Sequence, residues 1–191
     1  MHTMQIDNIE LRALIARYSN HVEFVGLDLQ DINQPGAFDD TLLHISAFAG
    51  QTEDLVTLLE CGAKINLRGD LGNTALHFSV LGRQAACMRI LIERGADVSI
   101  QNEFGETAVD IAKILGYSEL DEFFLRIQKS LSGTVEVDAK RQTAEHVAGT
   151  KRRWEDFREI QRLNFEYPDL QIRRATLSVF WVTSSQAGLP S

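Results

Sequence analysis

Asn73-Thr74-Ala75-Leu76-His77-Phe78-Ser79-Val80-Leu81, followed by Cys87-Met88-Arg89-Ile90-Leu91-Ile92 and closed by Gly95-Ala96, encodes two short helices back to back. Asn73 and Thr74 open the first helix, whose apolar residues Leu76, Phe78 and Val80 continue to Leu81. The second apolar series, Cys87, Met88, Ile90, Leu91 and Ile92, stops at Gly95, a residue that takes the left-handed conformation without a Cβ clash. The same text recurs at an interval of 33 residues in both directions: Thr41-Leu42-Leu43-His44 before it and Thr107-Ala108-Val109-Asp110 after it. Leu58-Leu59, Leu91-Ile92 and Phe124-Leu125 stand in register, and Gly62-Ala63 matches Gly95-Ala96. One helical pair cannot bury its own apolar face, so pairs at a fixed period must stack into a continuous core.

The period, the Thr-x-x-His signature and the closing Gly-Ala resemble the ankyrin repeat. The resemblance implies a mainly α solenoid of helix-turn-helix units, with helical pairs at 41 to 60, 74 to 94 and 107 to 128 and loops at 66 to 72 and 99 to 105 projecting to one side. Several positions depart from the family pattern. Leu42, Ala75 and Ala108 stand where it has proline, Asp39 stands where Gly72 and Gly105 precede the other threonines, and Gln128-Lys129 replaces the third closing Gly-Ala. The glycine between helices is Gly50, then is displaced to Gly82, then is Gly116. Irregular units are expected at the ends of an array. Upstream, Ile9, Leu11, Leu14, Ile15 and Tyr18 with Gly26-Leu27-Asp28-Leu29 read as a capping helix or degenerate repeat, three residues too far from Thr41. The expected organisation is a cap over 1–38, repeats over 39–129 and an appendage over 130–191.

The appendage has no repeat. Residues 143 to 163 are predicted to be a helix with Val147, Trp154, Phe157, Ile160 and Leu163 on one stripe, with a break near Pro168, a strand from Ala175 to Thr183 and a mobile tail from Ser184. The helix is expected to cover the last repeat, since an exposed solenoid end needs a cap. The alternative is a partner-binding arm that pairs its strand with another chain.

With 191 residues, 44% of them hydrophobic, the chain can build one domain with a core. No apolar run reaches the length of a membrane span, and the opening Met1-His2-Thr3-Met4 lacks the character of a secretory leader, so a cytoplasmic address is the expectation. Cys61 and Cys87 fit a reducing compartment. The net charge of -8 is unevenly divided: residues 1 to 129 hold 10 Lys/Arg against 19 Asp/Glu, and residues 130 to 191 hold 9 against 8. An acidic solenoid disfavours nucleic acid and anionic membranes and favours a basic protein, although charge of this size also serves solubility alone.

No catalytic trio, close-spaced metal ligands or phosphate loop is legible, so no catalytic residue, cofactor or metal is assigned. The ankyrin resemblance implies that His44 and His77 tie loops together, and Asp110 in the third copy argues against a shared chemical role. Lys140-Arg141 and Lys151-Arg152-Arg153 suggest a basic patch, but Glu155, Asp156 and Glu159 make pairing along a solvated helix the simpler account.

What remains is binding. Carried over from the family, the concave face formed by loops and inner helices maps onto Phe38 and Asp40; Arg68, Asp70, Leu71 and Asn73; Gln101, Glu103, Phe104 and Glu106; with Phe48 and Leu81 from inner helices. Leu71 and Phe104 are equivalent tips, and read either as interface anchors or as side chains folded onto the neighbouring loop. The expectation is a non-enzymatic module, monomeric when free, that occludes a basic protein as an inhibitor or immunity protein. The alternative is an adaptor joining one partner on the solenoid to another on the appendage.

Overall fold

The computed structural model describes residues 9–117 and 144–166, and every regular element among them is helical. In chain order these are α1 (Ile9–Tyr18), α2 (Leu42–Ala49), α3 (Thr52–Glu60), α4 (Ala75–Leu81), α5 (Ala85–Glu93), α6 (Ala108–Leu115) and α7 (Ala144–Glu166), with a 3-10 turn at Asp70–Gly72. The first two helical pairs stand where the period puts them. Of the third, α6 is present, and its partner at 118–128 lies outside the described residues, as do the expected strand and the tail.

Each inner helix starts in the same way. Thr41, Thr74 and Thr107 are extended N-caps. His44 Nδ1 accepts the Thr41 N–H at 3.0 Å and lies 2.9 Å from Thr41 Oγ1, and His77 repeats this with Thr74 at 3.1 and 2.9 Å. Because Nδ1 accepts, Nε2 carries the proton and donates across to the next unit: His44 to Leu67 O at 3.0 Å, His77 to Glu106 O at 3.2 Å. In the third unit Asp110 Oδ2 takes the Thr107 N–H at 2.9 Å and its hydroxyl at 2.7 Å, so a carboxylate closes the cap in place of the histidine.

The turns repeat just as strictly. Gly36, Gly69 and Asn102 donate to Asp40, Asn73 and Glu106 carbonyls at 2.8, 2.7 and 2.9 Å, closing three equivalent fingers. The finger at 36–40 extends the row by one beyond the two loops expected from sequence. Left-handed backbone falls at Asp39, Gly72 and Gly105, and again at Gly50, Arg83 and Gly116. Both sets are spaced by 33. The conformation therefore belongs to the position, and Asp39 and Arg83 hold it at a cost of about 1 kcal/mol without glycine's freedom. The true counterpart of Gly50 and Gly116 is thus Arg83, whose guanidinium stacks 4.9 Å from the Tyr117 ring. Gly82 has a different duty, since a Cβ there would strike the Phe48 carbonyl oxygen where α2 and α4 meet.

Stacking sorts the helices into two rows. Inner helices α2, α4 and α6 pack side by side; outer helices α1, α3 and α5 do the same behind them. Leu43, Ile45, Leu55, Leu58, Leu76, Cys87, Met88 and Leu91 belong to one buried core shared by the two rows. α1 takes its place at the head of the outer row through Leu11, Leu14 and Tyr18, whose hydroxyl donates to Asp54 Oδ2 at 2.8 Å while Arg17 pairs with Asp54 Oδ1 at 2.6 Å. Asparagines link successive units: Asn33 Oδ1 accepts from Lys64 N at 2.7 Å and, 33 residues on, Asn66 Oδ1 accepts from Asp97 N at 2.9 Å.

Candidate partner-binding face

α7 lies along the inner-helix face. It touches α6 and α2 and sets Phe157 edge-on to Phe78 of α4, with ring centres 5.9 Å apart. Among its described side chains the buried ones are Thr150, Trp154, Phe157, Gln161 and Asn164, a strict four-three spacing that keeps one narrow stripe on a helix face, and Val147 of the expected stripe lies outside the described side chains. The stripe expected from sequence shares Trp154 and Phe157 but is corrected at its far end. Ile160 and Leu163 are half-buried flanks, and the polar Gln161 and Asn164 take the inward positions. The helix also covers more than the last repeat, because Phe165 reaches the His21 ring at 6.3 Å on the N-terminal side. The twelve residues from Arg153 to Phe165 advance about 18 Å, two interhelix spacings, so the helix spans the row of inner helices.

The tightest contacts gather at the third finger. Glu106 stands where its equivalents Asp40 and Asn73 link fingers: Asp40 Oδ1 accepts Asp70 N at 2.8 Å, and Asn73 Oδ1 accepts Asn102 Nδ2 at 3.1 Å. Having no described finger beyond it, Glu106 turns to α7 instead. Its carboxylate pairs with Arg153 and accepts the Trp154 indole N–H at 2.8 Å. Burial pulls the Arg153 pKa below its ordinary value while Glu106 opposes the shift. Phe104 is half-buried beneath both partners, 3.9 Å from the Arg153 guanidinium carbon and edge-on to Trp154 at 5.7 Å. Arg158 Nη1 donates to Tyr117 Oη at 2.8 Å. Edge-on rings then run unbroken through Phe104, Trp154, Phe157, Phe78 and Phe48, the geometry in which aromatic pairs attract beyond their buried area.

The twelve residues mapped from sequence are thus divided. Asp40, Asp70 and Asn73 are buried in finger-to-finger links, Leu81 is in the core, and Phe48 is buried beside Phe78. Phe38 is half-buried, its N–H held by Glu23 Oε2 at 2.9 Å. Leu71 is half-buried in left-handed backbone, and its carbonyl accepts from Glu103 N at 3.0 Å. Arg68, Gln101 and Glu103 stay exposed along the finger edge, where Arg68 Nη1 bonds Gln101 O at 2.7 Å. Phe104 and Glu106 are brought together with Arg153 and Trp154 of α7. The sequence reading puts Phe104 and Glu106 on the finger and Trp154 on the helix stripe, but Arg153, expected to pair with Glu155, Asp156 and Glu159 along a solvated helix, is corrected: it is half-buried and pairs with Glu106. The signal joining them was complementarity, a Lys-Arg-Arg-Trp run against an acidic body with an aromatic finger.

Among the described residues no group of His, Cys, Asp and Glu could hold a metal ion, and no helix is long and apolar enough to cross a membrane. His44 and His77 are buried and hydrogen-bonded, with pKa values lowered to about 4, first by loss of hydration. Residues 58–112 match the family model for ankyrin repeats (many copies), units that serve as protein-protein interaction modules. No curated protein matches the chain.

Proposed function

We propose, from the premise that this chain carries ankyrin repeats, that it is a non-enzymatic binding protein whose inner-helix face and finger edge seize a basic protein and occlude it stoichiometrically. One observation carries the reading: the face already holds a helix, through a cation on Glu106 and two rings among Phe104 and Phe78. A surface that satisfies an Arg-Trp pair from its own chain has the chemistry to satisfy one from another. The acidic body, 19 Asp/Glu against 10 Lys/Arg over residues 1 to 129, supplies the matching field. α7 lies on the solenoid rather than away from it, which favours one binding site over an adaptor with two arms.

The test is purification of the tagged full chain from its native cells, with the bound proteins identified and the complex weighed. A single basic protein at one-to-one stoichiometry, whose activity is lost on binding, supports occlusion. Several unrelated proteins held at once would support the adaptor instead.

A further inference from the structure

α7 is held unevenly. At its Arg153 end it is clamped by a half-buried ion pair, an indole hydrogen bond and edge-on rings beneath the guanidinium. Toward the other end the stripe turns polar. Gln161 and Asn164 occupy positions that face a helix row, and Asn164 Oδ1 is buried without a hydrogen-bond partner. A buried acceptor left unmet carries the desolvation cost with no return. Past the end of the stripe Phe165 is 37% exposed and borders a half-open cavity of about 240 Å³, lined by Arg17, Tyr18, His21, Gln51 and Asp54 among others. The far end of α7 therefore buries polar groups where the Arg153 end buries rings.

We propose that α7 is a resident occupant of the partner site, and that the partner displaces it with a helix of its own. This rests on the reading of the inner-helix face as the partner site and specifies the ligand. The incoming helix carries Arg or Lys followed at once by an aromatic residue, a second aromatic three positions on, and large apolar residues at the positions of Gln161 and Asn164. The first group reproduces the clamp on Glu106, and the last puts apolar side chains where α7 buries Gln161 and the unmet Asn164. The uneven fit makes exchange possible: the loose end peels first, exposing Phe78 and Phe48 to the incoming helix before the Arg153 clamp opens.

The probe is a fluorescent peptide of residues 144–166, titrated against the full chain. The resident helix competes with it, so the wild type binds weakly. The full-length variant Trp154→Ala/Phe157→Ala, which loosens the resident, binds the peptide at least tenfold more tightly. Arg153→Glu/Arg158→Glu does the same without removing apolar volume, and covers the case in which the first variant fails to fold. Adding Glu106→Arg to either variant abolishes the gain. A peptide with Gln161→Leu and Asn164→Leu binds each form of the chain more tightly than the native peptide. Equal affinity for wild type and both variants, or no binding to any of them, overturns the proposal. So does a wild-type dimer in which α7 is exchanged between copies, since the occupant is then a second copy. A protein partner captured equally by wild type and variants, and not competed by the peptide, overturns the displacement while leaving protein binding intact. Peptide exchange with no protein partner at all sinks the binding function and its displacement by a partner, and leaves only α7 as an exchangeable occupant of the face.

Discussion

His44 and His77 hold two repeats to their neighbours only while neutral, because Nδ1 must accept the threonine N–H as Nε2 donates onward. Both have pKa values lowered to about 4, as has the buried His21, with desolvation the first cause in each. Unfolding returns each imidazole to about 6.5, so between pH 6.5 and about 4 the unfolded chain takes up protons that the folded chain refuses. Stability is complete above that window and is lost as pH falls through it, by on the order of 3 kcal/mol per histidine. The urea midpoint should therefore drop steeply over this range, and His44→Gln/His77→Gln should flatten the slope even where it lowers the plateau; a pH-independent midpoint would rule the account out. The cysteines make a second residue-scale test. Cys87 is buried and its thiol is pushed up to about 11 by desolvation, while Cys61 is only half-buried. A thiol reagent near pH 8 should label Cys61 first and Cys87 only at the rate of unfolding, and equal rates would contradict the packing of α5.

At the scale of the element, the two inner-helix junctions are not equivalent. Gly50 ends α2 in left-handed backbone, whereas Gly82 ends α4 in ordinary right-handed backbone and is small because the end of α2 passes directly against it. Gly82→Ala should thus destabilise the fold by about 3 kcal/mol, read as a fall in the urea midpoint, although alanine favours helices in isolation. A neutral or stabilising outcome would mean that the α2–α4 approach is looser than described. The same element-scale logic governs α7. Its buried stripe keeps a 3.5-residue period over fifteen residues, yet only Trp154 and Phe157 supply large apolar surface, so the neighbouring face rather than intrinsic amphipathicity orients the helix.

Across the whole molecule, charge and shape are segregated. The acidity rests on the solenoid, and Arg153 of the basic run Lys151-Arg152-Arg153 meets it at the third finger. Asp39 and Glu103 are exposed on the finger side, where the basic partner proposed above would meet them. Asp39→Asn/Glu103→Gln should slow association with the partner several-fold at low salt and reduce its dependence on ionic strength, with little change in dissociation. Stopped-flow kinetics would check this, and an effect confined to dissociation would count against steering.

The repeat itself was legible in one dimension, because stacking enforces a period and the period is written in Thr41, Thr74 and Thr107, in the glycines and in the apolar slots. The caps and the helical pairs follow from neighbours within a few residues of one another, and the sequence determined them by itself. Tertiary structure decided what no local pattern encodes. Asp40 and Asn73 are identical in setting to Glu106 along the chain, yet the first two are closed into finger links and only the last meets α7. The difference arises from a residue 48 positions away, Trp154, arriving at the finger with no neighbour described beyond it. Whether Phe104 stood open or covered, and which side of α7 turned inward, depended on that arrival, since helix amphipathicity this weak is resolved by the surface it lands on.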